Sequence, residues 1–145
     1  IIKEGLCRSF YNGEKYEDTN LFAKDGDIIG SIASYFRGEP AHFSIEALTT
    51  LDVLKVSFDD LRKAIAENSE LSAWVRDLLF GQLNALERRY TYRSGRGDAY
   101  YRYVSMIEKW PHKRFNDIPL KHIAQYLQIT PQMLSKIRRR YLSEK

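Results

Sequence analysis

One cysteine, Cys7, is all the thiol the 145-residue chain contains. This excludes an intrachain disulfide and any Cys-rich zinc or iron–sulfur constellation, and leaves a reduced, partly buried thiol as the plain reading. Histidine is scarce too: His42, His112 and His122 are scattered without metal-ligand spacing. No metal site is therefore expected, and with neither a ligand cluster nor an acid/base pair in residues 1–58, no enzyme either. No run approaches the roughly 18 apolar residues of a membrane span, and the N-terminus lacks the basic-then-apolar pattern of a secretion signal. A cytoplasmic protein without a membrane partner is the expectation. An initiator Met is also missing, and Ile1-Ile2-Lys3 already reads as strand, so sequence upstream is expected.

Acidic residues are scarce in one part of the chain only. Residues 93–145 hold 12 Lys and Arg against 4 Asp and Glu, whereas residues 1–92 hold 11 against 15. So basic a segment calls for an anionic partner, unless it is a solvated face that keeps the protein soluble. Charge alone leaves both open. Hydrophobic residues make up 43% of the chain, enough for an ordinary globular core.

The first 58 residues carry strand and turn signals. Asn12-Gly13 and Asp25-Gly26 are hairpin-type turn dipeptides, and Gly38-Glu39-Pro40 marks a further break. Between them lie short apolar and β-branched runs at 6–11, 28–32, 43–48 and 53–58, with only Ser31 to Phe36 suited to a turn of helix. Short strands without interleaved long helices predict an antiparallel barrel or sandwich.

The period changes at Asp59. Leu61, Ala64 and Ile65 predict a short helix, with Asp59 or Asp60 near its start, and Asn68-Ser69 provides a break and a new cap. Leu71, Trp74, Val75, Leu78, Leu79, Leu83, Leu86 and Tyr90 then recur at three- and four-residue steps, predicting one long amphipathic helix over 69–92. Roughly 22 helical residues span about 33 Å, more than a small β domain covers, so a second copy is the economical partner. Leu71, Trp74, Val75, Leu78, Leu79 and Leu86 are the expected dimer contacts. Gly81 in mid-helix costs about 1 kcal/mol against Ala unless two backbones approach there.

Ser94-Gly95-Arg96-Gly97 reads as a hinge where the charge changes sign, which divides the chain into segments 1–68, 69–92 and 93–145. Beyond it, Tyr100, Tyr103, Val104 and Ile107 form a helical stripe with Asp98 as N-cap and a stop at Trp110-Pro111. Pro119 opens a helix with Leu120, Ile123, Ala124 and Leu127 on one face. Gln128-Ile129 turns, and Thr130-Pro131 caps and starts another helix. On that last helix Leu134, Ile137 and Tyr141 predict the buried face, and Gln132, Ser135, Lys136 and Arg139 the opposite one. Two short helices joined this tightly are expected to act as a helix-turn-helix on double-stranded DNA, the second entering the major groove. Gln132, Ser135 and Lys136 take base-reading positions, since Gln pairs with adenine, Lys donates to guanine and Ser suits several bases. Thr130, Arg138, Arg139 and Arg140 are placed as phosphate ligands, with Arg139 able to serve either way. An ordinary helical hairpin with a basic tail that binds a protein is the alternative.

The segment Ile123-Ala124-Gln125-Tyr126-Leu127-Gln128-Ile129-Thr130-Pro131-Gln132-Met133-Leu134-Ser135-Lys136-Ile137-Arg138 resembles the helix-turn-helix of the Crp/Fnr family of bacterial regulators. Lys3-Glu4-Gly5-Leu6-Cys7-Arg8 resembles that family's strand ending in Gly-x-x-Arg, and Gly26-Asp27-Ile28-Ile29-Gly30 the strand entering its effector pocket. The resemblance implies an α+β protein: an antiparallel, cyclic-nucleotide-binding-like β-roll lacking its first strands, a long dimerisation helix and a C-terminal winged-helix domain. It also implies a homodimeric transcription regulator, with RNA polymerase as a further partner.

Three departures matter. Ser31 follows Gly30 where cyclic-nucleotide binders carry Glu, and their phosphate-gripping Arg-Ser pair falls at Ala41-His42 or His42-Phe43. Without that Arg a buried phosphate lacks its charge-assisted partner, so cyclic AMP is not expected, no cofactor is implied, and any small-molecule effector is of another kind. The effector pocket would involve Gly30, Ser31, Ala41, His42 and Phe43. Gln128 replaces the usual Gly of the turn, and Pro111 to Pro119 is short for a hairpin wing. If the hinge transmits effector binding, Gly95→Pro with Gly97→Pro should change DNA affinity or its response to effector; titrations in which both stay as in the native chain would dismiss the hinge.

Overall fold

Cys7 and Arg8 are neighbours on one strand, so they point to opposite faces of a sheet, and both are buried. That double coverage organises the first part of the fold. The structure, a computed structural model, describes residues 1–13, 17–93, 98–110 and 112–144. Packing groups the chain into two compact units, Ile1–Leu54 with Gly97–Lys145, and Lys55–Arg96. Residues 1–54 of the first expected segment thus share a unit with the third, while 55–68 group with the long helix. The expected hinge at 94–97 lies outside the described residues.

In the first unit, β2 (Leu6–Asn12) is the centre of a three-stranded antiparallel sheet, between β3 (Glu17–Lys24) and β4 (Ser44–Ala47). A bulge falls between Ser9 and Phe10. β1 (Ile2–Glu4) pairs separately with β5 (Asp52–Val53). Cys7, Ala23 and Ile2 form a small core with Ile29 and Leu51 on one side. Leu6 and Phe22 lie on the other, in the main core shared with the helices.

Gly5, between β1 and β2, has φ +112, and a Cβ there would stand 2.3 Å from the Thr50 carbonyl oxygen and 2.7 Å from Leu51. Its N–H donates to Asp25 Oδ1 at 2.6 Å. Both the backbone conformation and the close approach demand glycine. The run at 28–32, expected as a strand, has no strand pairing; Ser31 instead caps the short helix α1 (Ile32–Arg37). The run at 53–58 keeps only Val53 in a strand, because Ser57 caps a helix that begins at Phe58. β3, unforeseen because its sequence is mostly polar, is the required partner of β2.

The helices of this unit are α4 (Ala99–Lys109), α5 (His112–Asn116), α6 (Leu120–Leu127) and α7 (Pro131–Ser143). α5 occupies the stretch that is short for a hairpin wing, and among the described residues no strand follows Val53. Asp98 accepts from the Tyr100 N–H at 3.0 Å, and Thr130 from the Met133 N–H at 3.1 Å, so both expected N-caps form. Ile123, Ala124, Leu127, Leu134 and Ile137 join Tyr103, Met106 and Ile107 in the main core. Leu120, expected on the buried face, is exposed.

The second unit pairs α2 (Phe58–Glu67) with α3 (Ser69–Arg93). Leu71, Val75, Leu78 and Leu79 are half-buried, whereas Trp74, Leu83, Leu86 and Tyr90 are exposed. The stripe read from the sequence is half-covered in its first turns, apart from Trp74, and open from Leu83 onward. Nothing lies within 4 Å of a Cβ built on Gly81. Among the described residues no helix is long and apolar enough to cross a membrane.

Gly5→Ala should lower stability by about 2 kcal/mol or more, through a φ unsuited to L residues plus the overlap with Thr50. Urea unfolding of native and variant chains measures this; equal midpoints would show that the β1–β2 junction tolerates a side chain.

Candidate nucleic-acid interface

α7 is divided lengthwise. Leu134 and Ile137 are buried and Tyr141 is half-buried, while Gln132, Ser135, Lys136 and Arg139 all lie exposed on the other side. The helix starts at Pro131, whose missing N–H costs nothing at that position. α6 is set against α7 by Gln128, in the left-handed conformation (φ 55, ψ 48), whose N–H reaches the Ala124 and Gln125 carbonyls. A glycine would adopt this geometry without penalty; Gln does so at about 1 kcal/mol.

The expected DNA ligands fall into two groups. Gln132, Lys136 and Arg139 extend from the exposed face. The Ser135 hydroxyl donates to the Pro131 carbonyl at 3.0 Å, and Thr130 spends its hydroxyl on the cap, so each would have to share that oxygen. Arg138 and Arg140 have partners within the unit, although Arg140 stays exposed. Arg138 is half-buried against the Tyr103 hydroxyl. Arg140 pairs with Glu144 at 2.8 Å and stacks 4.0 Å from the Tyr100 ring centroid. A phosphate contact by either would compete with these partners.

A polar cluster joins α6 to the sheet, and its members were not read as a group from the sequence. Arg8, 1% exposed, donates to Glu46 Oε2 at 2.5 Å, to Thr19 Oγ1 at 2.9 Å, to Gln125 Oε1 at 3.3 Å and to the Glu17 carboxylate, and stacks over Phe10. The guanidinium holds the Glu17 carboxyl below its ordinary range. Thr19 donates to Gln125 Oε1 at 2.8 Å, and His122 Nδ1 lies 3.0 Å from the same oxygen. Gln128 Nε2 donates to Asp18 Oδ1 at 2.8 Å, and Tyr126 packs on Phe22 with ring centroids 5.4 Å apart. Arg114 on α5 reaches Asp25 at 3.0 Å. The available signal was on α6, where His122, Gln125 and Tyr126 recur at i, i+3 and i+4 opposite the apolar stripe. Opposite an apolar stripe, that pattern marks a second buried face.

The expected effector residues are on the sheet side. Ser31 is buried, and its hydroxyl accepts from the Ser34 N–H at 3.2 Å. Gly30, Ala41 and His42 are exposed, and Phe43 meets Tyr11 edge-on at 6.2 Å. Among the described residues no group of three or more His, Cys, Asp or Glu could hold a metal ion. Burial raises the Cys7 thiol to about 11, with Asp27 adding to the shift, so the thiol stays protonated.

No protein-family model matches the chain, and no curated protein matches it in sequence. Its fold does match solved structures. A protein provisionally described as a transcriptional regulator of the Crp/Fnr family from Eubacterium rectale superposes with a TM-score of 0.69 at 14% identity, over 99% of this chain and 68% of that one. One provisionally described as a cAMP-binding regulatory protein from Silicibacter pomeroyi gives 0.60 at 18%, over 99% and 66%. A cyclic nucleotide-binding domain containing protein from Listeria monocytogenes gives 0.60 at 17%, over 99% and 72%. The likeness is one of fold: an antiparallel sheet with helices, as in cyclic-nucleotide-binding-like proteins.

His122 titrates in this cluster. Burial lowers its pKa, Arg8 and Lys121 add to the lowering, and Gln125 and Glu46 oppose it. The folded chain therefore binds fewer protons here than the unfolded chain, so stability is full above the ordinary histidine range and falls as pH drops through it. Urea midpoints between about pH 8 and about pH 5 should decline for the native chain and decline less for His122→Gln. Parallel slopes would mean that the buried imidazole is not the titrating group.

Proposed function

We propose that the chain is a sequence-specific, double-stranded DNA-binding transcription regulator of the Crp/Fnr type. The observation that carries this is the division of α7, with Leu134 and Ile137 held in the core and Gln132, Ser135, Lys136 and Arg139 presented together on the open side. A helix-turn-helix puts such a face against base edges in the major groove. Gln132 and Lys136 can read adenine and guanine, Ser135 is tolerant, and Arg139 with Thr130 contacts phosphates. Arg138 and Arg140 then serve chiefly to anchor α7 to α4.

The chain acts as a homodimer through α3. Leu71, Trp74, Val75, Leu78, Leu79 and Leu86 make the contact, continued by the exposed Leu83 and Tyr90 further along the helix. Two recognition helices would then sit about 34 Å apart, in successive major grooves of a two-fold symmetric site. The sheet domain senses an effector other than cyclic AMP, because neither Ser31 nor Ala41, His42 and Phe43 offers a guanidinium for a phosphate. Contact with RNA polymerase in the bacterial cytoplasm belongs to the same reading, which assigns the chain no enzymatic role.

The test is retention of random duplex DNA at two salt concentrations, with sequencing of what is kept. The native chain should retain a two-fold symmetric site, and binding should weaken steeply with salt. Gln132→Ala with Lys136→Ala should cost about 1–3 kcal/mol per lost base contact and relax the site at those positions. Weak, sequence-independent retention indifferent to both substitutions would overturn the reading and favour a protein partner for the basic helices.

A further inference from the structure

The turn between α6 and α7 is tied to the sheet through a residue whose type is unusual there. Gln128 occupies a left-handed position that suits glycine, and its side chain donates to Asp18 on β3 at 2.8 Å. One turn earlier, Gln125 accepts from Thr19 at 2.8 Å and from the buried Arg8 at 3.3 Å. Phe22 on Tyr126 completes the contact. The outer side of α6, away from α4 and α7, is therefore covered by β3.

The cover is acidic. Arg8 pairs with Glu17 and Glu46, Asp18 accepts from Gln128, and Lys121 adds a second positive charge beside Glu17; three carboxylates thus stand against two cations, and Glu17 and Glu46 remain nearly half exposed. In a helix-turn-helix on DNA the first helix crosses the sugar–phosphate backbone. Carboxylates from β3 and β4 beside that helix and its turn oppose the approach of phosphates.

We propose that β3 is an autoinhibitory dock for α6, held by Asp18–Gln128 and by Arg8 and Thr19 on Gln125, and that DNA selects the undocked form. This rests on the DNA-binding reading above and deepens it, adding a direct route by which the sheet controls the reader helix without the 94–97 linker. DNA affinity is then reduced by the fraction of chains that are docked, and weakening the dock raises it.

Gln128→Gly removes the tether while leaving in the turn a residue that suits it, and Asp18→Ala removes the same tether from the sheet side. Hydrogen exchange of β3 and α6 amides reports docking, and titration with the retained duplex reports affinity, both on the full chain. Each variant should speed exchange and tighten DNA binding about tenfold, and the double variant should gain little over either one, because both cut one bond. Tighter binding by Gln128→Gly alone would reflect relief of the turn, and would overturn the dock. Faster exchange with unchanged or weaker DNA binding would overturn the inhibition, as would unchanged exchange. If neither native nor variant chains bind DNA at low salt while exchange still responds, the DNA reading itself fails and the inhibition goes with it.

Discussion

A guanidinium buried on the central strand of the sheet cannot be left alone. Removing one partner of a buried charge costs about 3–5 kcal/mol, since the charge remains out of water. Arg8 meets that demand with groups from three elements: Glu17 and Thr19 on β3, Glu46 on β4 and Gln125 on α6. Satisfying it requires the β2–β3–β4 register and brings α6 onto the sheet. Residues at the two ends of the first unit's sequence then share one core, from Leu6 and Phe22 to Leu134 and Ile137.

The same principle separates structural from available charges on α7. Arg138 and Arg140 lie on the edge of the helix nearest α4, where the Tyr103 hydroxyl and the Glu144 carboxylate with the Tyr100 ring engage them. Lys136 and Arg139, on the open face, retain their reach. A run of three arginines thus meets two different surroundings. The division follows from the helical step of about 100° per residue, which turns consecutive side chains to different surroundings.

Local signals were legible wherever a single side chain decides a local geometry. The caps at Asp98 and Thr130, the proline at the start of α7, the long helix from Ser69 and the strand around Cys7 are all in place. β3 was missed because Glu17, Asp18, Thr19 and Asn20 have weak strand preference, and pairing with β2 overrides it. α5 was missed because the stretch between Pro111 and Pro119 is too short for any periodicity. Asp59 and Asp60 stand in the first turn of α2 as expected, and Ser57 caps it, its hydroxyl accepting the Asp60 N–H and donating to the Asp60 carboxylate.

From the sequence alone came the order of sheet and helices, the amphipathic division of the last helix and the tight turn before it, because caps, turns and periodicity act within a few residues. Which polar residues would meet was decided by the tertiary structure. Arg8 and Gln125 are separated by 117 positions, and Asp18 and Gln128 by 110. No local preference encodes such pairs; they arise because a buried charge and a helix with two covered faces have to be satisfied by whatever the fold brings beside them.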